Sequence, residues 1–278
     1  MAFLFKLLSR LPLWLLHGLG AAMGWLIWVL SSTYRRRLRE NTAQAGYTFA
    51  QVRSAVGHAG RMALEIPRVW LGVLPPVQWK NAGLVETAMA RGKGIIFLVP
   101  HLGCFECAAQ SYAREFAPRF GPLMVLYRPS RQPWLADVVQ FSRQRAGLEV
   151  APTTTQGVRM MMRTLREGRA VGVLPDQVPP NSMGQWAPFF GKPAYTMTLG
   201  VRLAQQTGAT ILLVWGERLP RGRGYTVHVS EMPEPLADDL TGAVTQMNAA
   251  MEGLIRQCPQ QYLWGYGRYK QPRPMPKN

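Results

Sequence analysis

The sequence predicts an α/β protein with a mixed, largely parallel sheet flanked by helices, preceded by a hydrophobic helix that anchors the chain in a membrane. Short apolar runs rich in β-branched residues recur after residue 90, and stretches with helical periodicity separate them. Strands that alternate with helices favour a parallel sheet, because each parallel connection needs a crossover that a helix supplies. The third observation is an N-terminal segment, residues 11–30, that contains no Asp, Glu, Lys or Arg.

This uncharged N-terminal segment is long enough to cross a bilayer. Its twenty residues would rise about 30 Å as a helix, which matches the hydrocarbon core. Trp14, Trp25 and Trp28 lie towards its ends, where aromatic side chains anchor helices at the membrane surface. A cleaved signal peptide is the alternative, but the apolar run is longer than such peptides use.

Basic residues flank the segment on both sides. The arginines at 35–37 and Arg39 follow it directly, which favours a cytoplasmic position for the rest of the chain. Lys6 and Arg10 precede the segment, so positive charge is not confined to one side of it. A helix that lies in the membrane surface is therefore an alternative to one that crosses the membrane. We predict residues 1–33 as a retained membrane-anchor helix with its basic flank.

The rest of the chain predicts one large domain and a short tail. A length of 278 residues with 47% hydrophobic residues is enough for a substantial core and excludes a mainly disordered chain. Residues 41–91 show mostly helical spacing, with a break at the two prolines near residue 75. We place the domain at residues 34–270 and a basic, proline-rich, disordered tail at 271–278.

Within this domain, strands and helices alternate from residue 95 onwards. Apolar runs bounded by glycine or proline predict the strands, and glycines mark the ends of several helices. A long loop is expected through residues 186–191. The predicted strands are 95–99, 123–127, 170–174, 209–215 and 225–230, and the predicted helices begin near residue 104 and span 133–145, 158–167, 197–207 and 240–257.

Three of the predicted strands end in polar residues that can do chemistry: His101, Arg128 and Asp176. Ligands bind at the carboxyl ends of strands in open α/β sheets, so we expect these side chains to converge on one edge together with Glu106. A base, a carboxylate and an arginine that binds an anion or a developing oxyanion are the components of an acyl-transfer site. The alternative for Arg128 and Asp176 is a structural role in loops beside proline, including a mutual ion pair.

His101 and Glu106 stand five positions apart, a spacing that does not share one face of a single helix. They can meet only if His101 lies in the loop after the strand and Glu106 lies in the first turns of the next helix. Glu106 would then accept a hydrogen bond from one imidazole nitrogen and leave the other as a base. The alternative is a strand-end histidine bonded to backbone, with Glu106 on a solvated helix face.

No obvious serine or cysteine nucleophile accompanies this histidine. The chain has no G-x-S-x-G elbow and no G-x-x-x-x-G-K-[ST] loop for nucleotide phosphates. We therefore expect His101 to deprotonate the hydroxyl of the acceptor, which then attacks a thioester directly without an acyl-enzyme.

The three cysteines do not predict a disulfide framework or a metal centre. Cys104 and Cys107 form a C-x-x-C pair, but no second pair supplies the remaining ligands of a zinc site. Together with Cys258 they make an odd number, which suits a reduced compartment. We interpret the pair as helix packing, with a redox role as the alternative, and we expect no metal and no cofactor.

A formal net charge of +17, from 32 Lys and Arg against 15 Asp and Glu, predicts an anionic partner. Anionic lipid, an acidic protein and nucleic acid all fit that charge. A non-catalytic, membrane-bound protein that binds nucleic acid is the alternative from another functional class. The basic residues are spread along the chain without a nucleic-acid-binding motif, so we expect no nucleic acid partner.

The stretch His101-Leu-Gly-Cys-Phe-Glu106 resembles the H-x4-[DE] motif of glycerolipid acyltransferases. The wider sequence is similar to the late lipid A biosynthesis acyltransferases, the lauroyl- and myristoyltransferases of Gram-negative bacteria. That likeness covers nearly the whole chain. Its further elements are the apolar N-terminal segment with Asn41, then Tyr127-Arg128-Pro129, Asp176-Gln177, Phe189-Phe-Gly191 with Thr196, and Gln261-Tyr-Leu-Trp264.

The resemblance implies a glycerolipid acyltransferase-like fold and an enzyme at the cytoplasmic face of the cell inner membrane, in contact with anionic lipids. Such an enzyme moves a fatty acyl chain from acyl carrier protein, or from acyl-CoA, to a hydroxyl of a lipid A precursor of the Kdo-lipid IVA type. The resemblance also implies roles for four residues: His101 as general base, Glu106 as its partner, and Arg128 and Asp176 in substrate binding.

One departure from the family pattern concerns the acceptor. The family usually has histidine and arginines after the terminal tryptophan, and this chain has Trp264-Gly-Tyr266. A lysophospholipid, an ornithine lipid or another glycolipid therefore stays open as the acceptor. The methionines at 160–162 are a candidate lining for the acyl chain, with helix packing as the alternative.

Overall fold

The computed structural model describes residues 2–127 and 147–274 of the chain. Arg128 and the predicted helix at 133–145 lie outside the described residues. The described residues form a mixed α/β fold around a seven-stranded, largely parallel sheet with helices beside it. The predicted fold class is confirmed.

Seven strands form the central sheet: β1 (Val77–Lys80), β2 (Ile95–Leu98), β3 (Leu123–Tyr127), β4 (Leu148–Pro152), β5 (Ala170–Val173), β8 (Thr210–Arg218) and β9 (Tyr225–Glu231). Their order is β1-β9-β8-β2-β5-β3-β4. Neighbouring strands run parallel, apart from the antiparallel pair β8 and β9. All residues of β2 and β5 are buried, as expected for central strands of a sheet covered on both faces.

A separate antiparallel hairpin replaces the loop predicted at residues 186–191, so that prediction is wrong. The hairpin consists of β6 (Gly184–Phe189) and β7 (Lys192–Met197), joined by Phe190 and Gly191. Both joining residues have a positive φ, +47° for Phe190 and +74° for Gly191, as a tight two-residue hairpin turn requires. A proline in each strand hides the pattern in the sequence, and a two-stranded ribbon tolerates proline because both of its edges are unpaired.

Helices cover the two faces of the sheet and make up the N-terminal part of the chain. The first group is α1 (Ala2–Leu8), α2 (Leu13–Leu30), α3 (Ser32–Gln44), α4 (Phe49–Val52), α5 (Ala55–Leu71) and α6 (Gly83–Ala90). The later helices are α7 (Phe105–Glu115), α8 (Ala117–Phe120), α9 (Thr155–Arg166), α10 (Leu199–Thr207) and α11 (Leu240–Gln257). Short 3₁₀ turns are formed by Pro220–Gly222 and Pro259–Gln261.

Two hydrophobic cores lie on the two faces of the sheet. Alternate residues of β2 enter each core, because successive side chains of a strand point to opposite faces. Ile95 and Phe97 pack with residues of α5, α6 and α7, while Ile96 and Leu98 pack with residues of α9, α10 and α11. This alternation fixes the register of β2 and so fixes the position of the loop that follows it.

The apolar N-terminal segment forms two helices, α1 and α2, because Pro12 interrupts the helix between them. By length and composition α2 is able to cross a membrane. One of its faces packs along α5. The buried residues of α2 are Leu13, Leu16, His17, Gly20, Gly24 and Trp28.

Candidate active site

The loops that follow β2 and β5 bring His101 and Asp176 together. The two strands are parallel neighbours, with Leu98 opposite Val173, so their carboxyl ends meet at one edge of the sheet. Nδ1 of His101 lies 2.7 Å from Oδ1 of Asp176, and the backbone N–H of His101 donates to Oδ2 at 2.9 Å. The expected meeting of these two residues at the edge of the sheet is therefore observed.

The surroundings of Asp176 keep its carboxyl group ionised. Burial raises the pKa of Asp176, but the charge of His101, the hydrogen bonds from His101 and the charge of Arg268 together lower it below its usual value. An ionised carboxylate at Nδ1 favours the imidazole tautomer that carries its proton on Nδ1. The Nε2 lone pair of His101 is then available as a base.

The carboxylate that orients His101 is Asp176, whereas the sequence predicts Glu106 for this hydrogen bond and Asp176 for substrate binding. The structure differs because the His101 ring turns towards the end of β5, where Asp176 stands. Glu106 lies in the first turn of α7, as expected, and lines a cavity beside Phe105. The catalytic role of Glu106 and the substrate-binding role of Arg128 stay predictions.

Gln177 contacts the other nitrogen of the imidazole ring. Its side-chain nitrogen lies 3.0 Å from Nε2 of His101, where an amide N–H donates to the nitrogen lone pair. This amide therefore occupies the Nε2 lone pair of His101. In the sequence Gln177 belongs to the Asp176-Gln177 element of the family likeness, but its local pattern does not indicate a contact with His101.

Backbone hydrogen bonds hold the loop that carries His101. The carbonyl of His101 accepts from the N–H of Leu263 at 3.2 Å, and the N–H of Gly103 donates to the carbonyl of Gln261 at 3.0 Å. Gly103 has a φ of +61°, and a side chain there would overlap the carbonyl of Gly216. The loop is thus held between β8 and the C-terminal segment of the chain.

An apolar cavity lies between the sheet and α7, and Phe105 separates it from His101. Its enclosed volume is about 70 Å³, which is smaller than the roughly 300 to 1,000 Å³ of typical small-molecule sites. The ring of Phe105 belongs to its lining and has its centroid 4.8 Å from that of the His101 imidazole. The sheet contributes Phe97, Val99, Leu123, Val125, Gly172 and Val214, and α7 contributes Phe105, Glu106, Ala108, Ala109 and Tyr112.

The methionines at 160–162 are not part of this lining. They lie on α9, against the core on the opposite face of the sheet, where Met161 is fully buried. The packing interpretation of these residues therefore holds, and the candidate site for an apolar ligand is the cavity beside α7.

The sequence model of the bacterial lipid A biosynthesis acyltransferases matches residues 1–271 of the chain. The chain belongs to this family. The match includes the N-terminal helices, the His101 loop, Asp176 and the C-terminal segment, so the resemblance carried by the sequence motifs is confirmed.

Individual members of the lipid A acyltransferase family show moderate similarity to this chain. It is 26% identical to the lipid A biosynthesis lauroyltransferase of Escherichia coli K12 over 189 residues, which are 67% of this chain and 59% of that protein. It is 30% identical to the palmitoleoyltransferase of the same strain over 150 residues, 54% of this chain and 48% of the relative. Identity to the myristoyltransferase of that strain is 23% over 230 residues, 81% of this chain and 68% of the relative.

The chain therefore spans only about half the length of the first two of these relatives. The names of the three proteins differ in the acyl chain that is transferred.

Tyr266 supports the loop after Asp176. Its hydroxyl accepts a hydrogen bond from the backbone N–H of Val178 at 2.9 Å. The side-chain amide of Asn41 donates to the carbonyls of Trp264 and Tyr266, at 2.6 and 2.7 Å. Asn41 and Tyr266 thus link α3, the C-terminal segment and the catalytic edge of the sheet.

Cys104 and Cys107 are buried at the start of α7 in this family member. Burial raises the pKa of the Cys104 thiol, and a hydrogen bond with Cys107 adds to that effect. A protonated, buried thiol is a poor nucleophile, which favours a packing role over a redox role. Within residues 2–127 and 147–274, no group of three or more His, Cys, Asp or Glu side chains is arranged to hold a metal ion.

Proposed function

We propose that this chain transfers a fatty acyl chain from acyl carrier protein to a hydroxyl group of a lipid A precursor of the Kdo-lipid IVA type. The observation that carries the proposal is the His101–Asp176 pair beside an apolar cavity. Family membership supports the class of acceptor. The lauroyl, palmitoleoyl and myristoyl groups in the names of the relatives support a fatty acyl donor.

His101 is the general base of the proposed reaction. Its Nε2 takes the proton of the acceptor hydroxyl once that hydroxyl has displaced the amide of Gln177. The hydroxyl oxygen attacks the thioester carbonyl carbon, the carbon–sulfur bond breaks, and an ester bond forms. The departing thiolate takes the proton from His101, and no acyl-enzyme is needed. Asp176 accepts the hydrogen bond from Nδ1–H of His101 and stabilises the imidazolium between the two proton transfers.

Glu106 and Arg128 complete the proposed site. Glu106 lines the cavity next to Phe105, whose ring lies beside the His101 imidazole. We retain Glu106 as a catalytic residue that stabilises positive charge on the imidazolium. Arg128 directly follows β3, the neighbour of β5, and we assign it to binding an anionic substrate group or the developing oxyanion.

The cavity beside α7 is the proposed binding site of the acyl chain, and its walls must separate to admit that chain because its enclosed volume is only about 70 Å³. Aliphatic and aromatic side chains form most of its wall, and burial of each methylene group contributes about 0.8 kcal/mol. An acyl chain in this cavity would place its thioester end beside Phe105 and His101. Exclusion of water from the cavity would also strengthen electrostatic interactions around the reacting carbonyl group.

The charge of the chain fits the proposed partners. A formal net charge of +17 suits an acidic carrier protein, a phosphorylated lipid acceptor and the anionic lipids of the inner membrane. Each Lys or Arg near an anionic leaflet contributes about 1 kcal/mol to membrane binding. We place the catalytic part of the chain at the cytoplasmic face of the inner membrane, with acyl-CoA as an alternative donor and no cofactor.

A deletion strain tests this proposal. Mass spectrometry of its lipid A is expected to show the loss of one secondary acyl chain, which identifies the donor length and the acceptor position together. Expression of the wild-type chain should restore that acyl chain, and expression of His101→Ala at the same membrane level should not.

The same deletion strain tests the identity of the acceptor, because this chain has Tyr266 where the resemblance to the family leads us to expect a histidine. If lipid A is unchanged in the deletion strain while a lysophospholipid, an ornithine lipid or another glycolipid loses an acyl group, the lipid A acceptor is wrong. The acyl-transfer chemistry would survive that result, because it rests on His101 and Asp176.

A further inference from the structure

α2 packs along α5, and at its C-terminal end it packs on α4, where the ring of Trp28 stacks on Phe49 with centroids 4.6 Å apart. In its middle, Gly20 and Gly24 meet Gly60 at backbone contact, and a methyl group at any of the three would overlap the backbone of the opposite helix. Near its two ends, Leu13 and Trp28 are buried, with only 6% and 8% of their surfaces exposed. Both halves of α2 are therefore part of the folded body.

A buried ion cluster beneath α2 connects it to the central sheet. Oε2 of Glu65, on α5, lies 3.0 Å from Nε2 of His17, on α2. The same carboxylate pairs with Arg218 of β8, with Nε of the arginine 2.8 Å from Oε2. Tyr225 of β9 donates its hydroxyl to Oε2 at 3.0 Å. One carboxylate thus joins α2 to α5, β8 and β9.

These contacts oppose an orientation in which α2 crosses a bilayer. If α2 crossed with α5 attached, Glu65, Arg61 and Arg68 would enter the hydrocarbon, where charged side chains are costly. If α2 crossed alone, the glycine contacts between α2 and α5 and the hydrogen bond between His17 and Glu65 would be lost. Its 18 residues also rise only about 27 Å, slightly less than a hydrocarbon core of about 30 Å.

The side of α2 that faces away from α5 is an exposed apolar surface. It bears no Asp, Glu, Lys or Arg, and its large side chains are between 40% and 74% exposed. Burial of such a surface in lipid is favourable for a helix that lies along an interface. We call this surface the apolar face; its large residues are Trp14, Leu19, Trp25, Leu26, Val29 and Leu30.

Basic residues stand at both ends of α2. Lys6 and Arg10 are exposed before the helix, and Arg36 is exposed after it. Arg35 donates from Nη1 to the carbonyls of Trp28 and Val29, at 2.8 and 3.0 Å, which keeps its charge at the end of α2. Cations at both ends fit the anionic headgroups of a single lipid surface, whereas a spanning helix would place them on opposite sides.

We propose that α2 lies in the plane of an anionic lipid surface, with its apolar face among the acyl chains and the basic residues at its two ends on the headgroups. In this orientation the ion pair of Glu65 and Arg218 stays inside the protein. The lipid surface then lies along α2, parallel to α5, and the helix that binds lipid is also a structural element of the enzyme.

Spin-label depth measurements test the proposal on the full chain bound to vesicles of phosphatidylethanolamine and phosphatidylglycerol. Single cysteines are introduced in a Cys258→Ser background as Trp14→Cys, Gly18→Cys, Ala22→Cys and Val29→Cys, since Cys104 and Cys107 are buried. These positions face away from α5, and a side chain at Gly18 meets no other atom within 4 Å. All four labels are expected at a similar, shallow depth.

Gly253→Cys, at an exposed glycine of α11 that also has free space, is the matched control and should be accessible to water-soluble reagents. A profile in which Ala22→Cys is deepest and Trp14→Cys and Val29→Cys approach opposite surfaces would overturn the proposal. Labels that stay in water at all four positions would overturn it as well.

Chemical labelling from one side of the membrane is an independent test of whether α2 crosses it. When the protein is added to preformed sealed vesicles, a membrane-impermeant maleimide should label Phe3→Cys and Glu40→Cys from the same outer side. Protection of Phe3→Cys until the vesicles are opened would show that α2 crosses the bilayer.

Discussion

The imidazole of His101 is engaged at both ring nitrogens, by Asp176 at Nδ1 and by Gln177 at Nε2. The first contact sets which nitrogen carries the proton, and in the proposed reaction the second marks the position of the incoming acceptor hydroxyl. Since Asp176 is buried and its pKa is lowered, its negative charge is present throughout the physiological pH range. The ring is therefore already in the tautomer that general-base catalysis requires.

Substitution of the orienting carboxylate tests this arrangement. Asp176→Asn is expected to reduce kcat about 10²- to 10⁴-fold with little change in KM for the acyl donor, because an amide can favour the wrong tautomer. Steady-state kinetics measure both constants. Glu106→Gln is the comparison variant. If it lost as much kcat while Asp176→Asn stayed within a factor of two of wild type, Glu106 and not Asp176 would orient His101.

His58, which contacts Arg218 and Arg61 beneath α2, gives a prediction for acid stability. Burial, together with the charges of those two arginines, lowers the pKa of His58 to about 3. Below about pH 6.5 the unfolded chain therefore binds a proton at His58, whereas the folded chain leaves His58 neutral. The free energy of unfolding consequently falls as the pH falls.

The expected slope from this one group is at most about 1.4 kcal/mol per pH unit between about pH 6.5 and pH 3. Denaturant unfolding in detergent, compared between about pH 7 and pH 5, should show a smaller acid loss for His58→Gln than for wild type. In that pH range Glu65, whose pKa is lowered to about 2 by Arg218 and His17 against the effect of burial, does not yet titrate. Equal slopes for the two proteins would contradict the buried, neutral state of His58.

At the scale of elements, the sequence predicts the buried strands well and the edge strands poorly. β2 and β5 are uninterrupted apolar runs between glycine and proline, so their position and the meeting of His101 with Asp176 follow from topology alone. β1 has only four residues and alternates in burial, which makes it indistinct beside the helical pattern around it. β6 and β7 each contain a proline. They are strands because they pair with each other, and local sequence patterns do not reveal that pairing.

The hydrogen-bond partners of the side chains at the proposed site are harder to predict from the sequence than the strands are. Asp176 and His101 are 75 positions apart, and the choice between Asp176 and Glu106 depends on the direction of one imidazole ring. The ion pair of Glu65 and Arg218 joins positions 153 residues apart. Sequence spacing indicates which residues reach the same edge of a sheet, but it does not determine which side chains form hydrogen bonds there.

The close contact of α2 with α5 predicts a sharp difference between two glycines of similar helical conformation. Gly60→Ala places a methyl group against the backbone of Gly20 and is expected to cost about 1 to 3 kcal/mol. Gly18→Ala is the matched control, because its methyl group meets nothing within 4 Å and alanine favours a helix. Thermal unfolding in detergent should show a lower Tm for Gly60→Ala and an unchanged or higher Tm for Gly18→Ala. Equal Tm values would mean that α2 does not pack on α5 as described.

At the scale of the whole molecule, the net charge of +17 links the two proposed partners of the enzyme. An acidic carrier protein and an anionic lipid surface are attracted by the same excess of Lys and Arg. Both attractions are long-range and are screened by salt, with a Debye length of about 10 Å at 0.1 M. The approach of the donor, and not the chemistry at His101, should therefore respond to ionic strength.

Ionic strength thus provides a prediction about the donor. Raising the salt concentration from about 0.05 M to about 0.5 M should raise KM for acyl carrier protein several-fold, with a smaller effect on kcat. Acyl-pantetheine, which lacks the acidic carrier, is the matched donor and should show little change in KM. The same salt response for both donors would show that the carrier protein is not recognised by charge.

Acyl transfer by the purified protein tests the central claim most directly. Wild type and His101→Ala, shown to have the same Tm, would be mixed with acyl carrier protein bearing a fatty acyl chain and with a lipid A precursor. Mass spectrometry would then follow the new ester. The account predicts ester formation by wild type and a loss of at least about 10²-fold in His101→Ala. Ester formation by His101→Ala at the wild-type rate would contradict it.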